Sequence, residues 1–225
     1  MKALLKRNWR LCYALYTFIY LPWFFILEQV ITPDTPGVHI LNTPIDEAIP
    51  FCEYFIIPYV LWFFYILVAC VYMVQQATDV EFRRFALSLI IGMSISLLIC
   101  MIYPSGLNLR PTVLPDNIFG RMVAGIYASD TPTNVFPSIH VYNSLAVHIA
   151  FAKCQAMNKH KIWKMLSLIL CILICMSTVF LKQHSILDVI GAFILMGILY
   201  ILIYVVDYSH TFKKSHRKEV ELSNE

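Results

Sequence analysis

The stretch Ser177-Thr178-Val179-Phe180-Leu181-Lys182-Gln183-His184-Ser185-Ile186-Leu187-Asp188 joins two long apolar runs, Ile162 to Leu181 and Ile186 to Val206. Each run is close to the ~20 residues that an α-helix needs to cross the hydrocarbon core of a bilayer. Lys182 to Ser185 therefore reads as a tight connection between two membrane helices. Asp188 lies four residues beyond His184, one helical turn on and on the same face. A second segment, Phe136-Pro137-Ser138-Ile139-His140, puts another histidine at the mouth of an apolar run. That run extends from Pro137, whose ring suits a first-turn position, to about Ala156.

Upstream, apolar runs cover about Leu11 to Leu27, Glu53 to Gln75 and Phe85 to Tyr103. The expectation is an all-α integral membrane bundle of six transmembrane helices over residues 11–206, flanked by a basic N-terminus (1–10) and a charged, solvated tail (207–225). The first run is too long for a signal peptide and no small-residue cleavage site follows it, so it reads as a membrane helix. Residues 28–51 form a loop without Lys or Arg. Residues 104–136 are the longest non-spanning segment, with a short surface helix expected over Asp116 to Tyr127. Composition agrees: 59% of the 225 residues are hydrophobic and mean hydropathy is +0.69, against about 45–50% apolar in a soluble domain. A formal charge of +3 argues against a nucleic-acid partner. The seven cysteines lie in or beside apolar runs, without metal-ligand or disulfide spacing, and read as small buried hydrophobes.

An even number of spans puts both termini on one side. Fourteen of the seventeen Lys and Arg residues fall at the termini, in Gln76–Arg84, or around the connection near Lys159. The positive-inside rule makes that side cytoplasmic. The remaining three, Arg110, Arg121 and Lys182, lie in the two opposite-side connections that also hold His140 and His184. Arg110, His140 and His184 are thus expected on one extracytoplasmic face.

Two histidines, one backed by a carboxylate that fixes its tautomer and supports positive charge, suit nucleophilic attack and general acid–base catalysis at a phosphate ester. A carboxylate inside a membrane helix costs about 2.5–3.5 kcal/mol on insertion scales and marks function by default. With Arg110-Pro111, these stretches resemble the three-part signature of the type 2 phosphatidic acid phosphatase (PAP2) superfamily: K-x6-R-P, then P-S-G-H, then S-R-x5-H-x3-D. All three spacings are kept over about residues 46–192, but Tyr103 stands for the lysine, Ile139 for the glycine and Thr178 for the arginine. Such departures resemble the branch containing inositol phosphorylceramide and sphingomyelin synthases.

The resemblance implies His184 as nucleophile, Asp188 as its support and His140 as general acid and base. Arg110, Ser138 and Lys182 become the candidate phosphate-binding residues, with Thr178, Tyr103, Asn134 and Arg121 as further site candidates. It also implies a cofactor- and metal-independent reaction, with the phosphate at the outer end of the fourth, fifth and sixth spans. The substrate would be a lipid phosphate drawn from the bilayer, and the acceptor water or an alcohol. Hydrolysis of a lipid phosphomonoester or diphosphate is the first expectation. Headgroup transfer between lipids is the alternative, and a non-catalytic lipid-binding relative is third. His148, two turns below His140, reads as a satisfied core histidine, and the Met and aromatic stripes as lipid-facing or packing surface.

Overall fold

A computed structural model describes residues 9–206. The basic N-terminus up to residue 8 and the tail from residue 207 lie outside the described residues. Eight α-helices follow one another: α1 (Thr17–Val30, led in by a 3₁₀ segment Trp9–Tyr16), α2 (Pro44–Ala48), α3 (Ile56–Gln76), α4 (Asp79–Ile102), α5 (Ile118–Ser129), α6 (Ile139–Lys153), α7 (Lys161–Phe180) and α8 (Ile186–Tyr200). A two-residue strand β1 (His39–Ile40) pairs in parallel with β2 (Ser105–Gly106), clipping the loop after α1 to the loop after α4.

Local chemistry sets the ends. Thr78 caps α4 through a capping box with Glu81, so this helix begins six residues before the expected Phe85. The surface helix appears as α5, capped by Asn117, whose side chain accepts from the Gly120 amide. Ser138, not Pro137, starts α6: its hydroxyl accepts from the Val141 N–H, and Pro137 stays outside the helix. Among the described residues, five helical segments are long and apolar enough to cross a membrane, and they carry large apolar side chains outward, as lipid rather than water demands.

The fourth expected span departs from the rest. α6 has 15 residues, about 22 Å of helix at 1.5 Å per residue, and is not among those five. It packs against α3, α4, α7 and α8 and forms the axis of the bundle. Enclosed by protein, it has no need of a full lipid-facing length, and it buries Asn143 and Ser144 among Val141, Ala146 and Val147. Helix α1 is the opposite case, with only 6% of its most apolar window buried.

α4 and α6 approach closely at Gly92, where an added Cβ would stand 1.9 Å from the Tyr142 ring. That ring is fully buried and donates its hydroxyl hydrogen bond to the Ser88 carbonyl at 2.7 Å. Gly92→Ala is expected to destabilise the bundle by about 1–3 kcal/mol through overpacking. The thermal midpoint in detergent measures this, and in a Tyr142→Ala background the same Gly92→Ala change should cost less than in the wild type.

Candidate active site

The turn between α7 and α8 is built by backbone bonds. The Thr178 carbonyl accepts from both the Gln183 and His184 amides, at 2.9 and 3.0 Å, while Lys182 takes a left-handed φ of 54°. Ser185 then caps α8 in a capping box whose other member is Asp188. Asp188 Oδ2 accepts from the Ser185 N–H at 2.8 Å and faces His184 Nδ1 at 3.3 Å. With Nδ1–H held by the carboxylate, Nε2 is the ring nitrogen left for other chemistry. Asp188 is completely buried and its Oδ1 has no partner.

His140 sits in the first turn of α6, its ring centroid 5.7 Å from that of His184. Two α3 side chains fix the imidazole: Tyr59 stacks on it at 4.6 Å and Trp62 lies at 4.3 Å. The α6 and α8 starts are tied directly, since the Ser138 N–H donates to the Asp188 carbonyl at 3.2 Å. The expected pairing of His140, His184 and Asp188 is therefore present in space.

Both histidines open onto a cavity of about 300 Å³. Apolar side chains Leu21, Phe24, Phe25 and Phe63 form much of its wall, with Glu28, Asp130, Asn134 and Gln183 among its polar groups. The cavity lies between α1, α3, the start of α6 and the α7–α8 turn, so the first and second spans close it rather than the fourth, fifth and sixth alone. Among the described residues, no group of three His, Cys, Asp or Glu side chains is arranged to hold a metal.

The expected phosphate-binding residues distribute differently. Arg110 reaches the site but stands behind its wall. Its guanidinium donates to the Gln183 side chain, to the Asp130 carbonyl at 2.8 Å and to the Tyr127 carbonyl at 3.2 Å, and stacks over the Tyr127 ring at 4.4 Å. Its Nε is buried without a partner. Ser138 is fully buried, its hydroxyl engaged as a helix cap, and does not line the cavity. Lys182 turns away: the left-handed turn points its ammonium at the carbonyls of Asp46 and Ile49, which take its hydrogen bonds. Burial pushes the Lys182 pKa down, opposed by nearby Asp46.

The further candidates divide as well. Thr178 bonds its hydroxyl to the Cys175 carbonyl, serving the site through its backbone instead. Tyr103 stacks on His39 at 4.3 Å, outside the site, and Arg121 pairs with Asp116 at 3.2 Å on the surface. Asn134 does line the cavity, its side-chain amide donating to Glu28 at 2.9 Å. His148 is hydrogen-bonded to Ser167 at 3.2 Å, as expected of a satisfied core histidine. Lys182→Met is expected to leave phosphate affinity within about twofold while lowering stability by about 1–3 kcal/mol, since two buried carbonyls lose their donor; KM and thermal midpoint separate the two effects.

Four wall or support residues went unread in the sequence: Glu28, Tyr59, Trp62 and Gln183. Asp130 links two of them. Its Oδ2 accepts from the Tyr59 hydroxyl at 3.2 Å and from Gln183 at 3.4 Å. Burial pushes its pKa above the ordinary carboxylate range, opposed by His184 and Arg110. Burial likewise lowers the Arg110 pKa, opposed by Asp130, and raises Tyr127 to about 12; an arginine remains charged regardless.

A family model described as PAP2 superfamily matches residues 81–212, more than half of the chain, and contains Arg110, His140, His184 and Asp188. No curated protein and no solved structure matches the chain.

Proposed function

The chain belongs to the PAP2 superfamily, whose members are phosphatases or phosphotransferases, and we propose that it hydrolyses a lipid phosphomonoester or diphosphate through a phosphohistidine at His184. The observation that carries this reading is the pair of imidazoles, 5.7 Å apart on one apolar-walled cavity, with one ring held by Asp188. His184 Nε2 attacks phosphorus, the P–O bond to the lipid breaks, and protonated His140 gives its proton to the departing oxygen. Neutral His140 then takes a proton from water, whose oxygen attacks phosphorus as the P–N bond breaks. Asp188 stabilises the positive charge that His184 carries between the two steps. The distribution of Lys and Arg supports cytoplasmic termini and an extracytoplasmic site.

One observation favours headgroup transfer as the second reading. No Lys or Arg lines the cavity, whereas Glu28 and Asp130 do. Such a wall suits a diester, with a single negative charge at phosphorus, better than a dianionic monoester. The first half-reaction is shared, and an alcohol replaces water in the second.

The test uses protein purified in detergent with a chelator, given phosphatidic acid, phosphatidylglycerophosphate or a prenyl diphosphate. Inorganic phosphate release that disappears in His184→Ala is the expected result. No release from any of the three, with headgroup transfer from labelled diesters to an alcohol, overturns hydrolysis in favour of transfer.

A further inference from the structure

The charge inventory around the histidines is unbalanced. Glu28 and Asp130 face one largely apolar cavity, yet their hydrogen-bond donors are all neutral: Thr131 and Asn134 for Glu28, Tyr59 and Gln183 for Asp130. Among the described residues, neither carboxylate has a Lys or Arg within ion-pair distance. Arg110, the nearest guanidinium, bonds the backbone carbonyl of Asp130 and not its carboxylate. Two carboxylates sharing a low-dielectric space repel each other, and each is costly there without a countercharge. Two carboxylates without a third ligand make a poor metal site, and none is grouped as one among the described residues. Aromatic side chains share the wall, among them Tyr20, Phe24, Tyr59 and Trp62. Aromatic faces joined to carboxylates are the combination that accepts an organic ammonium.

We infer that the substrate carries an ammonium group close to its phosphorus, and that Glu28 and Asp130 bind it while the phosphate meets His140 and His184. This rests on the lipid-phosphate reading above and names the class of lipid. The ammonium has two chemical sources, the headgroup of a zwitterionic diester or the amine of a long-chain-base phosphate. In either case the substrate brings the ammonium countercharge that a wall without Lys or Arg does not supply. Glu28 then selects substrate, in addition to bracing the turn at Thr131.

The experiment is lipid occupancy of the His184→Ala protein, read by native mass spectrometry from an equimolar mixture. The mixture holds phosphatidylethanolamine, a sphingoid-base phosphate, phosphatidic acid and phosphatidylglycerol. At least one amine-bearing lipid should be enriched about tenfold over the two without an amine, equivalent to about 1.4 kcal/mol. Which one is enriched identifies the source of the ammonium. Adding Glu28→Gln, which keeps an oxygen for Thr131, should abolish the enrichment. A Glu28 that only braces the turn would weaken all four lipids alike and leave their ratios unchanged, which overturns the proposal. Equal occupancy, or enrichment of the anionic pair, overturns it without any Glu28 variant. Lipid turnover that survives His184→Ala would instead overturn the phosphohistidine reading, and the occupancy ratios would still decide the ammonium.

Discussion

Replacing His184 with alanine is expected to lower kcat by about 10⁴-fold or more, the scale on which enzymes lose a nucleophile. The loss should fall on kcat and not on KM, because His184 is one side chain among many on the cavity wall and the lipid's apolar contacts remain. The distinguishing measurement is covalent labelling. Wild-type protein quenched with acid-sparing, alkaline workup after incubation with phosphorus-labelled lipid should retain an acid-labile, alkali-stable label, and the variant none. Label that persists in His184→Ala would move the nucleophile elsewhere.

Asp188→Asn carries the second-largest expected effect, about 10³–10⁴-fold in kcat. Asparagine can keep its oxygen toward the Ser185 N–H and His184, preserving the cap and the ring orientation. Its nitrogen then occupies the Oδ1 position, which has no partner in the structure. What disappears is the negative charge behind an imidazole that becomes cationic when it takes the phosphoryl group. The prediction is therefore slow formation of phosphoenzyme, measured by rapid quench, in a protein whose thermal midpoint falls by only a few degrees, the shift expected for about 1 kcal/mol. Unchanged phosphorylation kinetics would assign Asp188 to capping alone.

The spans were legible because a lipid-crossing helix must be continuously apolar, and the His184–Asp188 contact because of its four-residue spacing, although His184 precedes the Ser185 cap and meets Asp188 across the start of α8 rather than along one helical face. The length of α6 was not, since enclosure by four helices relaxes the need for a lipid-facing length. Lys182 misled for a conformational reason: two residues from His184 in sequence, it is sent the opposite way by a left-handed turn. Tyr59 and Trp62, three apart on α3, look in sequence like any aromatic stripe, and only the position of His140 gives them a role. Glu28 near the end of the first run resembles ordinary interfacial trim until residues 130–134 fold over it. Thr43-Pro44-Ile45-Asp46 did carry a readable signal, a capping box with proline at its start.

That small box holds the α7–α8 turn from outside. Asp46 accepts from the Ile186 amide at 2.8 Å, and its carbonyl takes the Lys182 ammonium, across 140 and 136 residues of chain. Contacts this distant in sequence carry a larger loop-closure cost than local ones. The setting of His184 therefore depends on the loop between α1 and α3 as well as on the two helices that flank its turn, and the two are joined at one aspartate.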